Sequence, residues 1–434
     1  ACGNYEVEFT FSKHKYDQSY YLSSIKTNDN KKYIPELRFL EFQNDGEWKV
    51  YTLGQIFSRI TEKNTLNNQN VLTISAQQGL ISQMDYYNTL YASENKLGYS
   101  LLHKGDFSYN KSYSGDYAYG AIKRLEAYDK GIVSPLYICF EAKEGTNAEF
   151  YNQYFESGMF NREIYKIAQE GARNHGLLNV STDDFFDSIL VFPSEEEQKK
   201  IAEILHQCDK IIGLKKELIK VEKNKKKWLI EKFMNLGTTV EFKNCCLNKG
   251  EYGVNAPACE YQPELPQYIR ITDIDDNGKY VKNCPVSVMT QEKEKYTLHE
   301  GDILFVRTGG TVGKPYRYVA SDGELVFAGF LIRFSVNTCL FDDKFIYYQF
   351  LTSRYRNWVS TMSARSGQPG INAEEYGKYL LMLPSTIEEQ RKIANIISAE
   401  DEVIAKMEKE LLQWKQKKKS LMQLLLTGIV RVNV

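Results

Sequence analysis

Residues 193–202 read Pro-Ser-Glu-Glu-Glu-Gln-Lys-Lys-Ile-Ala, and residues 384–394 read Pro-Ser-Thr-Ile-Glu-Glu-Gln-Arg-Lys-Ile-Ala. From Glu196 and Glu388 onward the two copies are offset by 192 residues. Proline, serine and then acidic residues are typical of a helix start, because serine caps the first turn and carboxylates complement the helix dipole. The repeat therefore predicts two long helices that begin at these two points.

An apolar residue recurs every three or four positions along both predicted helices. The steps from Ile201 to Phe233 give seven apolar residues in ten positions, and the same steps from Ile393 to Leu425 give eight in ten. This spacing is a heptad seam, and a single apolar stripe needs a partner helix to keep it from water. We expect the helix-pair interface to use Ile201, Leu205, Ile212, Ile219, Leu229 and Phe233 with Ile393, Ile397, Ile404, Met407, Leu411, Trp414, Leu421 and Leu425.

The two helices are expected to pair with each other as an antiparallel coiled coil, because a whole globule between them can return the chain. If their ends align, Ile201 lies opposite Leu425 and Lys226 lies opposite Glu400. The second match joins two polar positions of the seam as an ion pair, which would fix the register more than it would add stability.

The 434 residues are too many for one ordinary core, and the pattern predicts a mixed α/β chain built from one unit that occurs twice. The predicted order is an unassigned N-terminal extension (1–34), a first globule (35–192), a long helix (193–238), a second globule (239–383), a long helix (384–427) and a C-terminal tail (428–434).

Short strands fill both globules, and several recur at matching positions. Residues 102–111 match residues 298–307 at an offset of 196. Val133–Phe140 reads as a single strand with Pro135 near its start or at a sheet edge, and residues 327–334 are its counterpart.

Composition limits the function. A net charge of -1 excludes a uniformly basic surface, so nucleic-acid binding would need local patches. Eight cysteines without a Cys-x-x-Cys pair, and only five histidines, argue against a metal site. No signal peptide or 18-residue apolar run is recognisable, so we expect a cytoplasmic protein with no membrane contact. No catalytic motif is recognisable, and we expect no catalytic residues.

A glycine-rich segment at 309–314 resembles a phosphate-binding loop but has the wrong spacing and is followed by Pro315. It reads better as a turn after a strand that presents Arg307, Thr308 and Lys314 to a DNA phosphate or base edge. A purely structural turn would explain the same residues.

The corresponding loop of the first globule carries amide, ammonium, hydroxyl and aromatic groups. Candidate DNA contacts there are Tyr109, Asn110, Lys111, Ser112 and Tyr113, although Tyr113 could equally belong to the core. Later loops add Arg173, Asn174 and Asn179 in the first globule and Arg365, Gln368 and Asn372 in the second. Arginine, asparagine and glutamine make bidentate contacts with guanine and adenine edges.

These features together resemble the specificity subunit of Type I restriction-modification systems. The resemblance spans roughly residues 35–434. It rests first on the motif Pro-Ser-x-x-Glu-Gln-x-x-Ile-Ala, which occurs at Pro193 and, with one extra residue, at Pro384. Four further segments fit the family: Pro35-Glu36-Leu37-Arg38-Phe39, Gly301-Asp302-Ile303-Leu304, Arg307 to Lys314 and the closing segment from Leu421 to Gly428. The first globule departs from the pattern, because Lys111-Ser112-Tyr113-Ser114-Gly115 replaces an Arg-Thr-Gly-Gly type of turn.

The resemblance implies a non-catalytic DNA reader. Each globule would recognise one half of a bipartite, asymmetric site in double-stranded DNA, and the helices would set the spacing and dock two methyltransferase subunits. Those partners would supply S-adenosylmethionine chemistry, and restriction-translocase subunits would add ATP and magnesium, so this chain itself would hold no cofactor. A stand-alone DNA-binding adaptor and a coiled-coil protein scaffold are the alternative interpretations.

Overall fold

The structure is a computed structural model, and it describes residues 35, 38–75, 78–89, 91–112, 118–168, 178–282, 284–364 and 369–427. The chain divides into two compact units. Of the described residues, unit 1 contains those up to residue 210 and those from residue 414 onward, and unit 2 contains those from 211 to 413.

Unit 1 is a mixed α/β unit. Its strands are β1 (Lys49–Thr52), β2 (Phe57–Arg59), β3 (Leu72–Ser75), β4 (Gly79–Ser82), β5 (Ser100–His103), β6 (Phe107–Asn110), β7 (Ala121–Arg124), β8 (Lys130–Val133), β9 (Ile138–Ala142) and β10 (Ile189–Phe192). Its helices are α1 (Leu53–Ile56), α2 (Gln83–Tyr87), α3 (Ala148–Glu156), α4 (Asn161–Ile167), α5 (Thr182–Phe186) and the first part of α6 (Glu195–Phe233). The main sheet has the order β2-β9-β6-β7, and its core centres on Phe57, Phe107 and Phe140, whose rings lie 5.2 to 5.5 Å apart.

Unit 2 repeats this plan. Its strands are β11 (Thr238–Glu241), β12 (Glu251–Tyr252), β13 (Ala258–Glu260), β14 (Gln267–Ile269), β15 (Val286–Val288), β16 (Asp302–Val306), β17 (Pro315–Arg317), β18 (Leu325–Phe327), β19 (Leu331–Ser335) and β20 (Leu380–Leu383). Its helices are the rest of α6, α7 (Lys293–Tyr296), α8 (Asp343–Gln349), α9 (Ser353–Ser363), α10 (Ala373–Gly377) and most of α11 (Ile387–Thr427).

The repeated plan is visible in the strand order. The main sheet of unit 2 runs β12-β19-β16-β17, with β16 and β19 at its centre as β6 and β9 are in unit 1. In both units an antiparallel two-stranded ribbon leads into a long helix: β1 pairs with β10 before α6, and β11 pairs with β20 before α11. The predicted duplication of one mixed α/β unit is confirmed.

Helices α6 and α11 pack against each other in antiparallel directions, as predicted. Within unit 1, Lys418 Nζ lies 2.6 Å from Asp209 Oδ1, and within unit 2, Lys215 Nζ lies 2.7 Å from Glu410 Oε2. The expected Lys226–Glu400 pair is shifted by one residue: Lys226 Nζ lies 2.5 Å from Asp401 Oδ1. Glu400 forms an ion pair with Lys225 instead, with 2.9 Å between Glu400 Oε1 and Lys225 Nζ.

The seam residues of both helices lie inward in every described case. In unit 1, Ile201 and Leu205 share a core with Met422 and Leu426, and Leu421 and Leu425 pack against it. In unit 2, Ile397 lies in the core, and Leu229, Phe233 and Ile393 pack against it. Ile212, Ile219 and Ile404 are buried, and Met407, Leu411 and Trp414 are half-buried.

One strand expectation is wrong. Val133–Phe140 is not one strand but the end of β8, a four-residue turn and the start of β9, and its counterpart in unit 2 has the same turn between β18 and β19. Tyr137 N donates to Ser134 O at 3.0 Å, which closes the turn with Pro135 at its second position.

Among the described residues, no helix combines the length and the apolar character that crossing a membrane requires.

Candidate nucleic-acid interface

The glycine-rich loop of unit 2 connects β16 to β17, and two buried tyrosines donate hydrogen bonds to its backbone and to the end of β16. Tyr355 donates its hydroxyl to Gly313 O at 2.7 Å, and Tyr376 donates to Val306 O at 2.8 Å. Burial raises the pKa of both phenols, so they stay neutral donors. Gly313 has a φ of +84°, and a Cβ there would meet the Val359 side chain at 2.5 Å, so this position requires glycine.

Arg307 is a basic residue of this loop that lies over an aromatic ring. Its guanidinium carbon lies 4.8 Å from the ring centre of Tyr252, which is 42% exposed. The Tyr252 hydroxyl in turn accepts a hydrogen bond from Ala373 N at 3.2 Å. Planar stacking leaves the edge N–H groups of a guanidinium free to face a phosphate or a guanine edge.

A second predicted loop of unit 2 is joined to the first by backbone hydrogen bonds. Gly309 N donates to Pro369 O at 3.1 Å, and Ile371 N donates to Arg307 O at 2.9 Å. Thr308 forms an isolated antiparallel bridge with Gly370. The residues before Pro369 include the predicted contacts Arg365 and Gln368, which lie outside the described residues.

Two predicted contacts of unit 2 have structural roles. Lys314 Nζ donates to Asp276 Oδ1 at 2.9 Å and to Ile274 O at 3.2 Å, so its charge is already paired. Asn372 is the N-cap of α10, where its side chain accepts from Glu375 N at 2.9 Å. The expectation that Lys314 and Asn372 present their polar groups to DNA is therefore replaced by these local bonds.

Unit 1 brings its own two loops together in the same way. Leu178 N donates to Lys111 O at 3.0 Å, which repeats the bond between Ile371 and Arg307. Lys111 Nζ lies 3.4 Å from Val180 O, while Ser112 and Asn179 are exposed. The shared bond makes Lys111 the positional equivalent of Arg307.

Other predicted contacts of unit 1 divide into three groups. Tyr109 is 1% exposed, stacks on Phe185 at 5.3 Å and donates its hydroxyl to Tyr119 O, so it is a core residue and its assignment to DNA contact is wrong. Asn110 is half-buried, and its Oδ1 accepts from Ser112 N at 3.0 Å. Tyr113, Arg173 and Asn174 lie outside the described residues.

The opposite end of each central strand is fixed by a carboxylate, which is buried in Asp302 and half-buried in Asp106. Asp302 Oδ2 accepts from His299 N at 2.9 Å, and Asp106 Oδ2 accepts from His103 N at 2.7 Å. Burial raises the pKa of both carboxyls. These turns position β6 and β16, so the two histidines mark turns and not chemistry. In the described ranges no group of three or more His, Cys, Asp or Glu side chains could hold a metal ion.

The sequence did not predict three surface residues near the candidate loops: Tyr252, which supports Arg307, and the exposed turn residues Leu136 and Phe330. Tyr252 is far from the loop in sequence, and only sheet pairing brings it under Arg307. Leu136 and Phe330 stood inside apolar runs that were read as strands, so their exposure was hidden. A proline or glycine directly before each of them was the available signal of a turn.

Two segments, residues 45–223 and 233–414, match the family model described as the Type I restriction modification DNA specificity domain. The chain belongs to this family. It is a DNA sequence-recognition subunit with two target-recognition domains, and such specificity subunits are not catalytic.

Relatives and solved structures agree with this assignment. The chain is 25% identical over 335 residues to the Type I restriction enzyme MjaVIII specificity subunit of Methanocaldococcus jannaschii, covering 70% of this chain and 75% of that protein. The putative type I restriction enzyme MjaX specificity subunit of the same organism is 25% identical over 309 residues, covering 65% of this chain and 68% of that protein.

The fold is similar to those of two solved structures from type I restriction-modification systems. A chain from a study of complex assembly and conformational transition of the type I restriction-modification system aligns with a TM-score of 0.54 at 15% identity, over 87% of this chain and 97% of that chain. The S subunit from M. genitalium aligns with a TM-score of 0.51 at 13% identity, over 92% of this chain and all of that one.

Proposed function

We propose that each unit of this specificity subunit reads one half of a bipartite, asymmetric site in double-stranded DNA. The observation that carries the proposal is the repeated loop pair. In each unit the loop after the central strand is bonded to the loop before a short helix, with Lys111 in one unit and Arg307 in the other at the junction. Equivalent positions with different side chains suit two readers of different sequences.

The two sites differ in the contacts they offer. Arg307 has the planar fork that fits guanine O6 and N7, whereas Lys111 is a flexible single charge that suits a phosphate. Ser112 and Asn179 add exposed polar groups in unit 1, and Thr308 adds a half-buried hydroxyl in unit 2. The half-sites read by the two units are therefore different, which makes the whole site asymmetric.

The long helices are the proposed dock for two methyltransferase subunits and the element that sets the spacing between half-sites. Part of α6 carries an exposed apolar stripe on an otherwise charged surface, formed by Leu214, Leu218, Val221 and Trp228. S-adenosylmethionine would be held by the methyltransferase subunits, and ATP and Mg²⁺ by restriction-translocase subunits that join the same complex.

The test is methylation mapping in a host that carries the methyltransferase genes with each variant of this chain. Wild type should produce a split adenine-methylated motif. Arg307→Ala should relax one half of the motif, and Lys111→Ala should weaken methylation overall or affect only the other half. Lys293→Ala removes a charge that is paired with Glu324 in unit 2 and serves as the matched control.

Two outcomes would contradict the proposal. A motif that stays unchanged in both loop variants would show that these loops do not read DNA. Specific DNA binding by the chain alone, with no effect on methylation, would favour a stand-alone DNA-binding adaptor.

A further inference from the structure

Both units expose an apolar side chain at the tip of the same turn. In unit 2 the turn Ala328–Leu331 joins β18 to β19, and Phe330 at its third position is 60% exposed. In unit 1 the turn Ser134–Tyr137 joins β8 to β9, and Leu136 at its third position is also 60% exposed.

The turn in unit 2 is held firmly on its inner side. Leu331 N donates to Ala328 O at 2.8 Å, and Gly329 N donates to Val254 O at 2.8 Å. A Cβ on the neighbouring Gly253 would meet Phe327 O at 2.2 Å, so the two backbones touch here. The turn therefore presents the Phe330 ring from a fixed backbone.

The turn in unit 1 is held by a proline and a side-chain hydrogen bond. Pro135 fixes the second position, and Leu136 N donates to Ser134 Oγ at 3.3 Å. Tyr137, which follows, packs against a buried cluster of the unit. Pro135 and Leu136 are thus the exposed residues of this turn, between the half-buried Ser134 and Tyr137.

In unit 2 the exposed residue is bonded to the basic residue of the candidate DNA loop, and in unit 1 the strand register places Leu136 and Lys111 at matching positions. Arg307 N donates to Phe330 O at 3.0 Å, one step beyond the last paired residues of β16 and β19, Val306 and Leu331. In unit 1 the last registered pair is Tyr109 with Ile138. Lys111 follows that pair by two residues and Leu136 precedes it by two.

An apolar residue at this place does not serve the fold. The third position of a tight turn usually holds glycine, asparagine, aspartate or serine, and a phenyl or isobutyl group that is 60% exposed gains little burial there. Two units whose loops otherwise differ in sequence nevertheless both carry one. This repetition indicates a binding partner that offers an apolar group next to negative charge.

We propose that Phe330 and Leu136 are base-contacting residues of the two half-sites, each placed against the 5-methyl group of a thymine in the major groove. The thymine methyl is the apolar feature that this groove presents, and phenylalanine and other apolar side chains contact it. The neighbouring basic residue meets the backbone or an adjacent base edge. This inference rests on the proposed function, because it requires that the loops around Arg307 and Lys111 face DNA.

The experiment measures binding of the assembled complex of this chain with its methyltransferase subunits to a duplex that carries the mapped site. Phe330→Ala should weaken binding to that site about five- to tenfold while leaving affinity for random duplex unchanged. Leu340→Ala removes an equally exposed leucine of unit 2, 61% exposed, and should change neither value. Leu136→Ala, with Leu66→Ala as its control, should act on the other half-site.

Single replacement of each thymine by deoxyuridine then locates the contact. In the half-site read by unit 2, one of these thymine-to-deoxyuridine replacements should weaken the binding of wild type. The same replacement should not weaken the binding of Phe330→Ala any further. The inference is overturned if every replacement weakens wild type and Phe330→Ala equally, or if Phe330→Ala binds like wild type while Arg307→Ala loses specificity. If Arg307→Ala also binds like wild type, the proposed function fails for the loop of unit 2, which separates that outcome from failure of this inference.

Discussion

The orientation of Arg307 depends on an aromatic neighbour. Because Tyr252 supports the guanidinium at 4.8 Å, Tyr252→Ala should release it and weaken binding to the cognate duplex about two- to fivefold, as loss of about 0.5–1 kcal/mol of cation–π attraction implies. Tyr252→Phe keeps the ring and should bind nearly as wild type in the same fluorescence titration. Tyr261→Ala, which removes another exposed tyrosine of unit 2, is the control. If Tyr252→Ala binds the duplex with the same affinity as wild type, Tyr252 does not position Arg307 for binding.

Asp302 should give the chain a measurable pH dependence of stability. Burial raises its pKa above 3.8, so in the window between the unfolded and folded pKa values the folded chain binds more protons than the unfolded chain. Stability contributed by this group therefore falls as pH rises through that window. Asp302→Asn should flatten the dependence in urea melts at pH values from about 4 upward. Asp276→Asn changes a carboxylate that is 98% exposed and should leave the wild-type slope. A wild-type slope in Asp302→Asn would contradict the assignment.

At the scale of elements, the helix pair could be predicted from the sequence because its signal is periodic. The alignment of Ile201 with Leu425 places both in one core of unit 1. The ion pair could not be predicted to the residue, because Asp401 is positioned by the Tyr348 hydroxyl at 2.9 Å, a contact from the globule of unit 2. A heptad pattern contains no information about such tertiary partners.

The turns and the loop residues show where sequence reasoning fails for a physical reason. Leu136 and Phe330 are apolar for a purpose other than burial, so hydrophobic patterning merged two strands and a turn into one strand. Tyr109 was assigned to the surface because tyrosine suits DNA contacts, yet its place on the inner face of β6 buries it. The first three residues of β6 are all buried, because both faces of this central strand are covered, so alternation along the strand could not have revealed the burial of Tyr109.

The observed ion pair gives an element-scale prediction. Lys226 and Asp401 are mostly buried at 19% and 29% side-chain exposure, so Lys226→Glu should lower the free energy of unfolding by about 1 kcal/mol or more through repulsion. Combining it with Asp401→Lys should restore part of that loss, measured in a double-mutant cycle by urea denaturation. Lys227→Glu, at a neighbouring exposed position, should cost little. Strictly additive effects would mean that the pair does not contribute to the register.

At the scale of the whole molecule, the strand order is repeated while the loops differ. β2-β9-β6-β7 in unit 1 and β12-β19-β16-β17 in unit 2 support their loops at equivalent places. Shared architecture with divergent loops is the arrangement in which recognition can change in one half without disturbing the other. Exchange of residues 35–192 for those of another specificity subunit should accordingly alter one half of the methylated motif.

The proposed role of the helices in setting the spacing between half-sites gives the last prediction. Residues 211–217 of α6 and 409–415 of α11 are paired segments, because Lys215 meets Glu410 within unit 2. Deleting both removes one heptad from each helix and keeps the remaining seam in phase. The helices would shorten by about 10 Å, at about 1.5 Å per residue, which corresponds to about three base pairs. Methylation mapping should then show unchanged half-sites with a gap shorter by about three base pairs, or loss of methylation if the shorter complex cannot assemble.

Deleting residues 211–217 alone leaves the helices mismatched and should lower thermal stability, which the paired deletion should largely avoid. An unchanged gap in a stable, active paired deletion would show that the helices do not set the spacing.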